Sequence, residues 1–375
     1  VDQGVINRLA KQYPKAKHHV DFRKMLESQK DIDAVIVATP DHTHAIISMA
    51  AIQLGKHVFC QKPLTHSVYE ARAIANAARE AKVATQMGNQ GQASEESRLV
   101  CELIWAGAIG NVREVHGWSN RVPDISPRGM GRPAGSSPVT ETLDWDLWLG
   151  PAPVRPYVAN AYNPFVWRGW WDFGSGVLGD IGCHNFAAIF KALKLGAPTS
   201  VEAVSTASQA PPEISTESAP ATSIVYYEFA ATDERPAVTI TWYDGGMMPR
   251  RPDELESDRK LGGGDGMLYI GDKGKMLNHR IIPEAKMKDF GAPAKVLPRS
   301  PGHYEEWINA CKGGEPAGSN FDVAGPLTEA VLLGNIAIRT GEKLLWDSPN
   351  LTITNVPAAN QYVNPPYREG WSLGA

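Results

Sequence analysis

Residues 31–91 alternate short apolar runs with helix-like stretches, and nothing else in this 375-residue chain limits its fold as strongly. The run Ala34–Ala38 is continuous rather than alternating and is flanked by turn formers. That pattern fits a strand buried on both faces, as in a parallel sheet. Thr39-Pro40-Asp41 breaks it, and the spacing over His42–Leu54 predicts a helix that Gly55 stops. His57–Cys60 reads as the next strand. Ser67-Val68-Tyr69-Glu70 reads as a capping box, opening a helix to about Lys82. Val83–Met87 is a third strand, ended by Gly88–Gly91. Strands separated by helices of this length imply βαβ units and a parallel sheet.

The pattern changes after Gly91. A helix is expected near Glu95–Ala106 and a strand over Val112–Ser119. Residues 121–153 are rich in Pro, Gly and Ser, notably Ser126–Pro138, and read as a long loop of the kind usually functional or disordered. Residues 154–171 are dense in Pro, Tyr and Trp, and a helix is predicted from Asp180 to about Leu195. Strand-like segments follow with short connections: Ser200–Ala207, Thr222–Phe229, Ala237–Tyr243, Met267–Ile270 and Lys275–Leu277. With no helix between them they suggest an antiparallel sheet. Helices are expected at residues 4–13, His303–Cys311 and Pro326–Thr340, and a mostly irregular tail after Trp346.

The length suggests two domains. A formal net charge of −4 without a basic stripe argues against nucleic acid as the main partner. No apolar run is read as approaching the ~20 residues that span a bilayer. Cys60, Cys101, Cys183 and Cys311 lie far apart, which indicates neither a disulfide framework nor a zinc ribbon. The first residue is Val1, so the compartment is open.

Gly55–Leu64 is the chemically suggestive stretch. Its apolar run ends in Gln61-Lys62-Pro63, at the strand edge where ligands of open α/β sheets sit. Pro63 pushes Lys62 toward an extended backbone, so the lysine is held before the next helix begins. Asp41-x-x-His44 opens a helix at another strand's carboxyl end, where it can touch a cofactor. Gly174–Gly179 matches G-x-G-x-x-G, but the residues before it make a poor strand, so it reads as a helix entry. Asp180 and His184 are four apart on one helix face, either an acid/base pair or an ordinary local helix pair. His42-x-His44 and His18-His19 lack acidic or thiol partners at ligand spacing, and no metal site is expected. Trp167, Arg168, Trp170 and Trp171 cluster; such residues serve either sugar recognition or a core.

Taken together, Ala38–His44, Gly55–Leu64, Gly176–His184 and Phe321–Trp346 resemble the Gfo/Idh/MocA family of oxidoreductases, over nearly the whole chain. The resemblance implies a Rossmann-like parallel sheet in residues 1–91, then an α+β domain in 92–375 with a large, mainly antiparallel sheet. It implies NAD or NADP, a sugar or polyol substrate, and a homodimer or homotetramer formed through that sheet. Carried over by position, Lys62 would hydrogen-bond the reacting hydroxyl, His184 would be the general acid/base and Asp180 its neighbour. Thr39, Pro40, Asp41, His44, Gln61, Lys62 and Asn89 would line the cofactor side, and Arg168, Trp167 and Trp170 the substrate side.

Two departures from the family pattern matter. Gln61 stands where the family has glutamate, and losing that charge should make the neighbouring ammonium easier to deprotonate. About thirty residues that would carry the first strand and glycine-rich turn of a dinucleotide site are expected to precede Val1, and this chain alone is expected to bind NAD weakly or not at all. The alternatives are an NAD-dependent glycosidase working by transient oxidation and a non-catalytic carbohydrate-binding protein. The location is expected to be cytoplasmic or, after twin-arginine export, periplasmic.

Overall fold

The computed structural model describes residues 1–121 and 127–374. Residues 122–126 and Ala375 lie outside the described residues, and part of the loop expected over 121–153 falls among them. From Pro127 to Pro138 the chain has neither helix nor strand, but the expected loop is interrupted by a short helix, Trp145–Leu149, which Asp144 caps by accepting from the Leu147 amide.

The apolar runs of the first ninety residues form a three-stranded parallel sheet in the order β1 (Ala34–Val37), β2 (His57–Gln61), β3 (Thr85–Gly88). Val37 pairs with Cys60 and Cys60 with Met87, so the carboxyl ends of the strands are level. The capping box is present: Ser67 Oγ accepts from the Glu70 amide, and the Glu70 carboxylate accepts from the Ser67 amide at 2.8 Å. It starts the helix Val68–Ala81.

The second sheet has nine strands: β4 (Val112–Ser119), β5 (Ser200–Ser205), β6 (Ser223–Phe229), β7 (Val238–Asp244), β8 (Gly266–Gly271), β9 (Lys275–Leu277), β10 (Arg280–Ile282), β11 (Leu344–Asp347) and β12 (Thr352–Ile353). Their order is β10-β9-β8-β4-β7-β6-β5-β11-β12. All neighbouring pairs are antiparallel except β4 and β7, which run parallel with Val115 beside Ile240. Past Trp346 the tail, read as mostly irregular, adds only the end of β11 and the two-residue β12 as strand, and β10, β11 and the helices Phe22–Ser28 and Glu284–Phe290 had no clear sequence signal.

The helix Phe321–Thr340 joins the two sheets. It begins five residues before Pro326, because Asn320 caps it by accepting from the Asp322 amide at 3.0 Å. A proline six residues into a helix removes one hydrogen bond, which the buried face outweighs. This helix is long and apolar enough to cross a bilayer, contrary to the reading of the sequence; 83% of its apolar window is buried inside the protein. Its Gly325 lies against Ala75 of the helix Val68–Ala81. Arg72 forks onto the buried Glu329 through two hydrogen bonds of 2.7 Å. One continuous hydrophobic core therefore runs from Val37 through Leu333 to Val225.

The regular helix expected over Asp180–Leu195 is broken into a wide π-turn, Leu178–Gly182, and two short helices, Cys183–Asn185 and Ala187–Ala192. The G-x-G-x-x-G stretch leads into this turn, with Gly176 at φ +63°.

Candidate active site

β1 and β2 end at one cavity of about 430 Å³, opposite the π-turn of the second half of the chain. Thr39, Pro40, Asp41, Gln61 and Lys62 form one wall; Asp180, Arg168, Trp167 and Phe165 form the other. The position past the strand ends follows from the parallel sheet, and the volume suits a small ligand.

Lys62 reaches across the cavity. Its Nζ lies 2.6 Å from Asp180 Oδ1 and donates to the Asp180 backbone carbonyl at 2.9 Å. Both side chains are mostly buried, which strengthens the pair relative to a surface one. Arg168 Nε lies 3.4 Å from the same carboxylate oxygen. The negative charge beside Lys62 is thus supplied by Asp180, not by position 61. Gln61 lies over Gly88, where even one added methyl would meet its amide.

The structure does not bring every expected residue to this cavity. His184 opens on a neighbouring cavity of about 280 Å³ with Asp265, Asn278 and His279. Four residues advance a helix by about 6 Å along its axis, and the Asp180 carboxylate is turned away toward Lys62 and Arg168. The expected convergence of Lys62 and His184 on one cavity is corrected to a Lys62–Asp180 pair with the imidazole next door. They remain electrostatically linked: burial, then the Lys62 charge, push His184 down to about 4, so it is neutral at pH 7.

Asn89 is buried at 1% exposure, and both ends of its amide are engaged by protein groups. It donates to the Cys183 carbonyl at 3.2 Å and accepts from Ser319 Oγ at 2.8 Å. It braces β3 against the second half rather than lining the cavity. Trp170 is 2% exposed, donates its indole N–H to the Ala161 carbonyl at 2.7 Å and packs edge-on against Tyr162. It belongs to an aromatic core with Trp148 and Phe173 and does not line this cavity.

Trp167 does face the cavity, with the Arg168 guanidinium 4.3 Å above its ring. Arg168 also stands 3.9 Å from the ring of Phe165, which is 57% exposed. Phe165 was missed; its only sequence signal is membership of the aromatic-rich stretch.

His44 ties the two turns together. Its ring nitrogens are each 2.8 Å from a carbonyl, those of Thr39 and Pro63. Burial works against charge on this imidazole, but Cys60 and the two carbonyls outweigh it and hold its pKa above the ordinary value. His42 is buried against Trp148 and Phe173. Chiefly through that burial its pKa falls to about 3. Among the described residues, no three His, Cys, Asp or Glu side chains gather as a metal site.

His42 and His184 make the fold acid-sensitive. Their folded pKa values lie below the unfolded one, so the stability they carry is full above pH 6.5 and is lost as pH falls toward 4 and below. The urea midpoint should therefore drop between pH 7 and about pH 4.5, and His184→Gln should flatten that drop. An equal drop in the variant would remove His184 from the account.

A nicotinamide fits this cavity on its own chemistry. Thr39 and Gln61 offer hydrogen-bonding groups and Pro40 an apolar surface on the strand-end wall, which suits a ring carrying a ribose.

Comparison with known proteins agrees. Residues 6–89 match the model of an oxidoreductase family described as an NAD-binding Rossmann fold, and residues 131–218 match that family's C-terminal alpha/beta domain. The chain is 29% identical over 165 residues to levoglucosan dehydrogenase of Pseudarthrobacter phenanthrenivorans, which is 44% of this chain and 33% of that protein. It is 32% identical over 120 residues to inositol 2-dehydrogenase 3 of Saccharopolyspora erythraea, 32% of this chain and 35% of that one. The matched segments span about a third of the length of these curated relatives. A solved levoglucosan dehydrogenase in complex with NADH and levoglucosan has the same fold, with a TM-score of 0.57 and 17% identity over 91% of this chain and 87% of that one.

Proposed function

The chain belongs to the Gfo/Idh/MocA family of oxidoreductases, and from that membership we propose that it works as an NAD(P)-dependent dehydrogenase or reductase on a sugar, a cyclitol or a derivative of one. The observation that carries the reading is Lys62, held 2.6 Å from Asp180 across a cavity at the carboxyl ends of the parallel strands. When bound, the nicotinamide would supply hydride transfer. Thr39, Pro40 and Gln61 would flank its ring, with Asp41 and His44 behind them.

The protein's part is position and proton transfer. Lys62 hydrogen-bonds the reacting hydroxyl and moves its proton, and Asp180 orients the ammonium. Arg168, with its face on Trp167 and Phe165, meets the substrate's other hydroxyls. His184 is a neutral base one cavity away.

The test is NADH formation with saturating NAD and a panel of sugars and cyclitols. His184→Ala should keep most of the rate that Lys62→Ala loses; equal losses would mean that the two cavities join in the working complex. Aglycone release from glycosides without net NADH would replace this reading with the glycosidase one.

A homodimer or homotetramer is also proposed, through the outer face of the nine-stranded sheet. Register puts Val204, Tyr226 and Leu345 on one face, at 60%, 37% and 44% exposure. Exposed Glu202 and Glu228 stand on the same face, so the surface offers apolar and charged groups together. A single monomeric boundary in sedimentation velocity at micromolar concentration would remove this proposal.

A further inference from the structure

Asp41 is a carboxyl group that the reaction above leaves without a task. It follows β1 at the cavity wall, is 2% exposed, and accepts from Ser175 Oγ at 2.7 Å through Oδ2. Its Oδ1 is buried and has no hydrogen-bond partner among the described residues. An ionised oxygen in that position would be costly, because neither water nor a donor compensates the lost solvation. Ser175 comes from the second half of the chain and is itself fixed, its carbonyl accepting from Asn335 at 2.8 Å. The contact is built, not incidental.

We propose that Asp41 is a positioning residue that carries a proton, and that this proton sets the charge of the cavity wall on which Lys62 also stands. With Asp41 neutral, Asp180 alone balances Lys62 and Arg168. With Asp41 ionised, a second negative charge joins them. The chemical consequence rests on the proposed role of Lys62 in proton transfer; the protonation state of Asp41 does not.

The groups acting on Asp41 agree with this. Burial, first of all, pushes its carboxyl up to about 7; the Ser175 hydroxyl pulls it down, Asp180 raises it, and His66 and Lys62 lower it. As pH rises through that value the proton leaves Asp41, and a second carboxylate charge appears on the cavity wall that also carries Lys62.

Infrared difference spectra of the protein without cofactor, taken between about pH 5 and pH 9, test the first part. A protonated-carboxyl band should fade with a midpoint near 7 and be absent in Asp41→Asn, whose amide has the same shape and does not titrate. Ser175→Ala should move the midpoint upward, since the lost hydroxyl favours the ionised form. A carboxyl band that is already gone by about pH 5.5, or one that persists in Asp41→Asn, overturns the proposal. The second part is read in the pH profile of kcat/KM, where an inflection near pH 7 in the wild type should be absent in Asp41→Asn. The same inflection in both proteins overturns the link to the reaction. If no polyol is oxidised at all, the functional reading fails while the infrared result still judges Asp41.

Discussion

Lys62→Ala should lower kcat about a thousandfold, equivalent to about 4 kcal/mol of lost transition-state stabilisation. Two effects combine. The reacting hydroxyl loses its proton-transfer partner, and the Asp180 carboxylate, 14% exposed, is left facing Arg168 alone at 3.4 Å. Lys62→Arg separates them, because it restores the charge beside Asp180 but cannot give up its proton at working pH. It should remain nearly as slow as the alanine variant while recovering wild-type thermal stability. The measurement is kcat and KM for both variants with saturating NAD, alongside their melting temperatures. A rate within tenfold of wild type in either variant would take the proton-transfer role away from Lys62.

Trp242→Ala should destabilise the protein by about 3–5 kcal/mol, the range for removing a large aromatic side chain from a packed core. Trp242 is at 0% exposure in β7, edge-on to Phe186 with ring centres 5.8 Å apart. Its indole N–H donates to Asp244 Oδ2 at 3.1 Å. Asp244 also accepts from the amide and hydroxyl of Ser223, at 2.8 and 2.6 Å. The variant leaves a cavity between the nine-stranded sheet and the segment following the π-turn, and it removes one of three donors to a buried carboxyl group. Trp242→Phe keeps most of the volume and should cost less. Urea unfolding should show the midpoint falling with little change in slope. A loss below about 1 kcal/mol in the alanine variant would mean that the sheet and its covering helices are not packed as described.

Local patterns in the sequence carried the first half of the fold well. The continuous run Ala34–Ala38 marked a strand, but the burial on both faces that such a run suggests is not met: Val35 and Val37 are buried, while Ala34 and Ile36 are exposed, Ile36 at 62%. Ser67 and Glu70 announced a helix start through contacts only three residues apart. Elements held by distant partners were harder to read. β11 is short and pairs with β5, more than 140 residues earlier, with Leu344 beside Val201. Proline at 326 suggested a helix start, while the apolar face of Phe321–Thr340 and its Asn320 cap set the start earlier.

For the site, order along the chain named Lys62, Asp180, Arg168 and Trp167, which the fold gathers at one cavity, and also Asn89 and Trp170, whose polar groups are held by protein partners elsewhere. An amide and an indole have the same chemistry in a core as in a pocket. Which they occupy depends on whether a protein carbonyl or hydroxyl reaches them first.

By itself, then, the sequence determined the parallel sheet, the strand-end lysine and the chemical character of the residues around it, since these depend on spacing over a few turns. Only the tertiary structure decided that Asp180 faces Lys62, that His184 lies one cavity away, and that a buried Asp41 stands behind them. Side-chain direction at a site made from two sheets is set by packing between residues more than a hundred positions apart, and no local pattern encodes it.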